Sequence, residues 1–179
     1  MTEIAALFQE FETNYPSEIR EIELSRGDFL IRQGQVERHT YFILSGAVAV
    51  KHFKANESHT IRFGYTGSFL NSIPSFFDDS PSHFAIVALK KTRVKAFAKS
   101  ALFELIESNE EYKDVYVSVL ENLATQFVER EIDLLASSPA ERYQRVMERS
   151  PQLFEEIPLK HIADYLRMTP ETLSRLRKS

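Results

Sequence analysis

The fold is decided by two neighbouring stretches, Arg26-Gly27-Asp28-Phe29-Leu30-Ile31-Arg32-Gln33-Gly34-Gln35 and Tyr41-Phe42-Ile43-Leu44-Ser45-Gly46-Ala47-Val48-Ala49-Val50. All five glycines of the chain fall between Gly27 and Gly67, where they separate short apolar segments. Glycine adopts positive φ without steric cost, so it is typical of tight turns between strands. The pattern predicts a tightly turned β-structure in this region and a different architecture in the rest of the chain.

Short strands are predicted throughout residues 19–98. The first lies around Ile22 and Leu24, which alternate with glutamates. The others are predicted over residues 29–32, 40–44, 47–53, 60–63, 84–89 and 93–98. Ser45-Gly46 is interpreted as a hairpin turn and Ala55-Asn56-Glu57-Ser58 as a polar turn. Strands this short and regular indicate a sandwich or a barrel-like roll, preceded by a short amphipathic helix over residues 3–14.

A long helix is predicted over residues 110–136, which neither glycine nor proline interrupts. One stripe has heptad spacing and, apart from its arginine, is expected to form dimer contacts: Tyr116, Leu120, Leu123, Phe127, Arg130 and Leu134. A second apolar set lies off that stripe: Val115, Val119, Val128, Ile132 and Leu135. A helix that is apolar on more than one side is usually buried on more than one side. We therefore expect one face to pack on the roll and another on a second copy, with burial inside the same chain as the alternative.

Two short helices separated by a tight turn are predicted at the C-terminal end. The first covers residues 159–166, Arg167-Met168 forms the turn, and Thr169-Pro170 has the pattern of a helix start. Asn109 and Ser138 precede the two helices upstream and are suited to cap them. The final pair of helices predicts a helix-turn-helix, whose second helix would enter the major groove of double-stranded DNA. Two ordinary surface helices are the alternative.

The last helix carries side chains that such a role requires. Glu171 can accept a hydrogen bond from cytosine N4, and Arg175 can bind guanine O6 and N7 in bidentate fashion. Phosphate contacts are expected from the remaining polar residues: Thr169, Thr172, Ser174, Arg177 and Lys178. Residues 159–179 hold five basic and two acidic residues, so their net charge is +3 while the rest of the chain carries −7. The positive charge is therefore concentrated where the DNA contact is expected.

The composition limits the remaining possibilities. A length of 179 residues allows one large domain or a medium domain with a small one, and 43% hydrophobic residues argue against disorder over the whole length. The absence of cysteine excludes disulfides, thiolate metal sites and cysteine nucleophiles. No apolar run reaches the roughly 18 residues that span a bilayer, and the N-terminus lacks a signal-peptide pattern. We therefore expect a cytoplasmic protein with no membrane partner.

The order of roll, long helix and helix-turn-helix resembles the cAMP receptor protein/Fnr (Crp/Fnr) family of transcription regulators. The resemblance covers nearly the whole chain. Its most telling residues are Gly27-Asp28-Phe29-Leu30-Ile31-Arg32-Gln33-Gly34, Tyr41-Phe42-Ile43-Leu44-Ser45-Gly46 and Pro170-Glu171-Thr172-Leu173-Ser174-Arg175. The short chain, with Ser138-Pro139-Ala140-Glu141-Arg142-Tyr143 before the last two helices, is similar to the compact form common in Bacteroidetes.

The resemblance implies an α+β fold in three parts. Residues 1–108 would form a cyclic-nucleotide-binding-like sensor, a jelly roll also described as a double-stranded β-helix. Residues 109–136 would form the dimerisation helix, and residues 137–179 the DNA-binding domain. The implied partners are double-stranded DNA, a second copy of the chain, a small-molecule effector and RNA polymerase.

The nucleotide cassette of that family is altered here. Members that bind cyclic nucleotides carry Gly-Glu and then Arg-Ser or Arg-Thr, with the Glu on the ribose and the Arg on the cyclic phosphate. Asn71-Ser72 and Ser82-His83 stand at these positions. Without the charge-assisted fork of an arginine, we expect no tight binding of cAMP and no cofactor. The pocket for another effector would be lined by Phe69, Asn71, Ser72, Ile73, Ser82 and His83.

Two further departures from the family concern the DNA-binding part. Arg167 stands in the turn where glycine is usual, which would cost on the order of 1 kcal/mol if the backbone there is left-handed. The sequence also stops at Ser179, before the β-hairpin wing that is usual in the family. A short recognition helix with a frayed end is therefore expected.

Two other classes of protein compete with the regulator. One is a ligand-binding or protein-interaction module that does not bind DNA. The other is a cupin-like enzyme, but the five histidines lack the spacing of metal ligands, so we expect no metal and no enzymatic activity. The cluster Phe69, Phe76, Phe77 and Phe84 is interpreted as core packing, with an apolar ligand site as the alternative.

Overall fold

The computed structural model describes residues 2–55 and 57–178, and its first half is built from strands. Their bounds are β1 Ile19–Leu24, β2 Phe29–Ile31, β3 His39–Ser45, β4 Ala47–Lys54, β5 Glu57–Tyr65, β6 Phe69–Leu70, β7 Ala85–Ala88 and β8 Thr92–Ala98. The strands form two four-stranded antiparallel sheets, with the orders β1-β8-β3-β6 and β2-β7-β4-β5. Both sheets contribute to one buried cluster: Ile31, Tyr41, Ile43, Val48, Val50, Leu70, Ile86, Val94 and Ala96. The strands therefore form the predicted jelly roll.

Helices occupy most of the second half. Their bounds are α1 Thr2–Asn14, α2 Ile73–Asp78, α3 Lys99–Ser108, α4 Glu110–Leu135, α5 Pro139–Arg149, α6 Pro151–Glu156, α7 Leu159–Tyr165 and α8 Pro170–Leu176, with a 3-10 turn at Pro16–Glu18. The side chain of Asn109 accepts from the backbone N–H of Glu111 at 2.9 Å, and Ser138 accepts from that of Glu141 at 3.1 Å. These bonds satisfy N–H groups that the helices leave free, as the sequence predicts.

Ser45-Gly46 is not the predicted hairpin turn, because β3 and β4 lie in different sheets. Gly46 has φ +101°, and a Cβ there would lie 2.5 Å from the carbonyl oxygen of Lys91. The N–H of Ala47 instead donates to Thr92 Oγ1 at 3.1 Å, at the start of β8, where the chain again crosses between the sheets. Turn residues specify a change of direction, but the pairing partner depends on distant strands that bury each face.

Three elements have no counterpart in the sequence prediction. β6 has only two residues, α2 lies inside the loop that carries the altered cassette, and α6 is a six-residue helix between α5 and α7. β5 is longer than expected because Glu57 and Ser58 already pair with β4. The rest of the predicted polar turn includes residue 56, which lies outside the described residues. Elements of two to six residues are too short to show a hydrophobic period.

The helices pack against the roll in two separate clusters. At one end, α1, α3 and α4 form a cluster with β8 that contains Phe11 and Phe97. At the other, the outer face of β4 and β5 is covered by the C-terminal helices: Ala47, Ala49, Phe63 and Leu89 pack with Val146, Leu153, Ile157, Ile162, Ala163, Leu166 and Leu173. The second cluster explains why β4 begins with four consecutive buried residues, since both of its faces are covered.

Candidate functional site

The altered cassette is closed by its own hydrogen bonds. Ser72 and Ser82 are both buried, and their hydroxyl oxygens lie 2.5 Å apart. Ser82 Oγ also lies 2.6 Å from the carbonyl oxygen of Phe84 and accepts from the N–H of the same residue at 3.0 Å. The positions that correspond to Glu and Arg in nucleotide-binding relatives therefore satisfy each other in this chain.

A buried carboxylate lies beneath the same loop. Glu37 accepts hydrogen bonds from the hydroxyl of Tyr41 at 3.0 Å and from the backbone N–H groups of Arg38, His39 and Ser72. Burial raises the pKa of Glu37 and also that of Tyr41, whose hydroxyl donates to it. All these partners belong to the chain itself, so Glu37 holds the cassette loop against β3. No local pattern indicates this role for Glu37, because a single acid between two strands is also typical of a solvated turn.

The main cavity lies beside the cassette and not within it. We call it the central cavity; it encloses about 690 Å³, within the range of small-molecule sites. Its wall is formed by β5, β6, the inner face of α4 and the C-terminal helices. The described residues on this wall include Arg62, Phe69, Asn71, Ile73, Phe77, Tyr116, Leu120, Leu123, Phe127, Arg130, Arg149, Leu153 and Tyr165.

The predicted pocket residues divide between the two places. Phe69, Asn71 and Ile73 line the central cavity, whereas Ser72 and Ser82 form the sealed cassette. His83 is exposed, and its carbonyl oxygen lies 2.9 Å from Nδ1 of His52. Of the predicted phenylalanine cluster, Phe69 and Phe77 line the cavity, while Phe76 is fully buried among α1, α3 and β8, in the core environment expected for it.

One region of the cavity wall is strongly cationic. The guanidinium of Arg130 lies 3.7 Å from the ring centroid of Tyr165, and its Nη2 donates to the Tyr165 carbonyl oxygen. Its Nη1 is buried and has no hydrogen-bond partner among the described residues. Burial lowers the pKa of both Arg130 and Arg62, which lies near the same tyrosine. The signal for this site was present in the sequence, since an arginine occupied an otherwise apolar stripe.

The long helix has two distinct faces. Four residues of the predicted seam, Tyr116, Leu120, Leu123 and Phe127, line the central cavity, and Leu134 is half-buried. A different apolar stripe faces solvent in the single chain; Val128 is 60% exposed and Leu135 81% exposed, and Val117 and Ile132 are also exposed. An exposed apolar stripe of this kind is typical of a helix that pairs with another protein surface.

The last two helices form a tight pair. Ile162, Ala163 and Leu166 are buried against Leu173 and Phe63. Arg167 between the helices has φ +55°, so the left-handed backbone considered from the sequence is present. The small side chain of Ala163 is fully buried in this cluster, which allows the two helices to approach closely.

The predicted DNA-contacting side chains lie on the outer face of this pair. Thr169 Oγ1 accepts from the N–H of Thr172 at 3.2 Å and so caps α8. The members of the set that are exposed are Thr169, Glu171, Arg175, Arg177 and Lys178, while Thr172 and Ser174 are half-buried. α8 therefore presents a polar, largely basic face to solvent.

A polar contact fixes α7 on the roll. The carboxylate of Asp164 accepts from Thr60 twice, from the backbone N–H at 2.9 Å and from the hydroxyl at 2.5 Å. Lys51 Nζ lies 3.8 Å from the same carboxylate, and Arg167 Nη1 lies 2.6 Å from His59 Nδ1. We call this group the α7–roll contact. It was not predicted, because its partners are far apart in the sequence.

A second polar group connects α4 to α5. Asp133 is fully buried and pairs with Arg145 at 3.2 Å and with Arg149 at 2.5 Å. Arg149 and Arg145 also reach Glu129. Burial of the Asp133 carboxylate is thus offset by two arginines, which fixes the angle between the long helix and the helices that follow.

The chain is similar to one family of domains and to several solved structures. Residues 21–109 match the family model of the cyclic nucleotide-binding domain. FixK2 from Bradyrhizobium japonicum is 18% identical, with a TM-score of 0.75 over 89% of this chain and 83% of that one. The c-di-GMP responsive global regulator CLP from Xanthomonas campestris is 12% identical, with a TM-score of 0.70 over 97% and 90%. The catabolite activator protein of Thermus thermophilus is 18% identical, with a TM-score of 0.57 over 99% and 81%.

These matches define the class of protein. The roll is a cyclic nucleotide-binding domain, and the chain as a whole has the fold of the regulators to which it is similar. The resemblance to the Crp/Fnr family is thereby confirmed for the sensor domain and for the fold. No curated protein matches the chain by sequence.

The described residues contain neither a membrane-spanning helix nor a cluster of metal ligands. No helix within residues 2–55 and 57–178 is long and apolar enough to cross a membrane. In the same part of the chain, no three His, Asp or Glu side chains are grouped so that they could hold a metal ion.

Proposed function

We propose that this protein is a non-enzymatic, DNA-binding transcription regulator. The observation that carries the proposal is the exposed, mainly basic set of side chains on α8 and directly after it. Thr169 caps α8, and α8 packs on α7 behind the roll that matches a cyclic nucleotide-binding domain. Arg175 is exposed on that face and is the proposed base-reading residue, with Glu171 beside it. Arg177 and Lys178 supply phosphate contacts.

The active form is proposed to be a homodimer. The stripe containing Val128 and Leu135 is exposed in the single chain and lies on the face of α4 that points away from the cavity. Pairing along this stripe would bury it. It would also position the two α8 helices of the dimer so that each could enter one of two successive major grooves. The predicted seam, which begins at Tyr116, would then serve mainly as the cavity wall. RNA polymerase is the proposed further partner of such a complex.

The proposed function is tested by fluorescence anisotropy with the DNA upstream of the protein's own gene at two salt concentrations. We expect saturable binding that weakens steeply as salt rises, because phosphate contacts release counterions. Arg175→Ala should cost about 1–3 kcal/mol on specific DNA and relax the preference at one base pair. The matched control is Arg93→Ala, which removes the same charge from an exposed position on β8, in the roll.

The outcomes separate the candidate classes. Specific binding that is equal in the Arg175→Ala variant and in the wild type would contradict the role given to Arg175. Binding that is absent, or insensitive to salt, would favour a ligand-binding module whose last helices contact another protein. Binding that requires cAMP would contradict the interpretation of Ser72 and Ser82 as a sealed cassette.

A further inference from the structure

We propose that the central cavity binds an organic anion, with an apolar body and a carboxylate or phosphate head that Arg62 and Arg130 recognise. This deepens the proposed function, on which it rests for the role of the ligand as an effector. The binding site is distinct from the sealed cassette, because neither Ser72 nor Ser82 lies on the cavity wall.

The charge of the wall sets the charge of the ligand. Among the described residues that line the cavity there are three arginines and neither aspartate nor glutamate. Arg149 is neutralised by Asp133 and Glu129. Neither Arg62 nor Arg130 makes an ion pair within the described part of the chain. Asp133 favours the charge of Arg130 from a distance, but it is paired with Arg145 and Arg149, and no carboxylate of the described residues acts on Arg62. An uncompensated cation next to an apolar cavity is unfavourable, and a bound anion would remove that cost.

Arg130 supplies the strongest single observation. The residue is only 8% exposed, and its Nη1 is a buried donor without a hydrogen-bond partner among the described residues. Buried donors in folded proteins are normally satisfied, so an orphan beside a cavity indicates a missing acceptor. A carboxylate or phosphate offers such acceptors in the geometry that a guanidinium prefers.

The rest of the wall sets the body of the ligand. Phe69, Leu120, Leu123, Phe127 and Leu153 give the cavity an extended apolar side. A volume of about 690 Å³ is far larger than an inorganic anion needs, so the space suits an anion with an organic body. The occupant would touch the roll, the long helix and the C-terminal helices at once.

This arrangement links binding to the position of the last helices. Tyr165 ends α7, lies against Arg130 and is itself on the cavity wall. An anion that draws Arg130 away from Tyr165 would weaken one attachment of α7, whereas an anion that bridges them would strengthen it. Either change alters the fraction of molecules in which α7 is attached to the roll and to α4. An effector of the proposed regulator must change such a fraction.

The test is isothermal titration calorimetry of the full chain, without DNA, with three probes that share one eight-carbon body. They are octanoate, octyl phosphate and the neutral 1-octanol. We expect at least one anion to bind saturably and at least about tenfold more tightly than 1-octanol. A tenfold difference corresponds to the lower end of the energy expected for a hydrogen bond to a charged group. The ratio between the two anions distinguishes a carboxylate head from a phosphate head.

Variants connect the binding to the arginines. Arg62→Gln should weaken the preferred anion at least about tenfold and leave 1-octanol unchanged. Arg93→Gln is the matched control, because it removes an exposed arginine from β8 and should change neither affinity. Arg62→Lys keeps the charge and should recover part of the affinity. Circular dichroism of each variant confirms that it is folded.

Three results would overturn the proposal. They are the absence of saturable heat with both anions, equal affinity for 1-octanol and the anions, and unchanged anion affinity in a folded Arg62→Gln variant. None of these depends on DNA. A protein that binds the anion but not DNA would refute the regulator, and one that binds DNA but not the anion would refute only this site.

Discussion

Removal of the Asp164 carboxylate should release the C-terminal helices from the roll at a measurable energetic cost. In the folded chain this carboxylate accepts both the N–H and the hydroxyl of Thr60, which is fully buried. Asp164→Ala leaves both donors without an acceptor. At about 1–3 kcal/mol for each of the two orphaned donors, we expect the free energy of unfolding to fall by about 2–6 kcal/mol.

A double-mutant cycle isolates this contact. Thr60→Val removes the hydroxyl and should cost about 1–2 kcal/mol by itself. Once the hydroxyl is gone, Asp164→Ala orphans only the N–H, so the double variant should cost about 1–2 kcal/mol less than the sum of the single variants. Urea unfolding at one fixed protein concentration measures all four proteins, because dimerisation would make stability depend on concentration.

The controls separate the hydrogen bonds from the ion pair. Lys51→Met removes only the charge that lies 3.8 Å from Asp164 and should cost under about 1 kcal/mol, since the pair is partly solvated. Thr60→Ser keeps the hydroxyl and should preserve the coupling to Asp164. Additive effects of Thr60→Val and Asp164→Ala, within about 0.5 kcal/mol, would refute the reasoning.

Three further predictions concern other parts of the chain. Burial and nearby basic side chains lower the pKa of His161 to about 4, so the unfolded chain binds the proton more tightly. The contribution of neutral His161 to stability should be complete above about pH 6.5 and should be lost as the pH falls toward 4, with a loss of at most about 2 kcal/mol at pH 5. Urea unfolding at several pH values should show that the stability of His161→Gln depends less on pH than that of the wild type. In thermal unfolding, Gly34→Ala should cost about 1–2 kcal/mol, because its φ is positive but a Cβ there would meet nothing. Gly46→Ala should cost about 2–5 kcal/mol, because its φ is also positive and a Cβ there would clash with backbone atoms. Val128→Asp should convert a dimer to a monomer in analytical ultracentrifugation, while Phe53→Asp on β4 should not.

Each of these three has a clear contrary result. A pH dependence that is the same with and without His161 would assign the effect to other groups. Equal costs at Gly34 and Gly46 would show that the close backbone approach at Gly46 is relieved by movement. A Val128→Asp protein that remains dimeric would return the dimer contact to the predicted seam that begins at Tyr116.

Local structure was predictable because its signals are local. The glycines, the caps at Asn109 and Ser138 and the uninterrupted helix gave most of the elements close to their observed bounds. Pairing between strands was not predictable in the same way. Ser45-Gly46 has the composition of a hairpin turn, and only the packing of the two sheets shows that the chain crosses between them there.

The candidate site was predictable only in part, for the same reason. The loss of the cassette Glu and Arg could be seen from the resemblance, and Phe69, Asn71 and Ile73 do line a cavity. The partners of Arg130 and Asp164 could not be foreseen, because residues 35 and 104 positions away provide them. A charged residue in an apolar stripe was the one sequence signal of that site.

The sequence distance across the α7–roll contact has a consequence for how the molecule folds. Thr60 and Asp164 are 104 positions apart, and Lys90 and Glu156 are 66 apart. Contacts that close such large loops form late, because the chain must lose the entropy of the whole loop before they form. The antiparallel pair β4–β5 and the turns of α4 can form beforehand, because their partners are near in the sequence.

The same interface should therefore be the first to open in the native state. Amide groups held by it, such as the N–H of Thr60, would exchange with solvent hydrogen sooner than those inside the sheets, through openings that leave the roll intact. We therefore expect the C-terminal helices to open as a separate unit of the molecule.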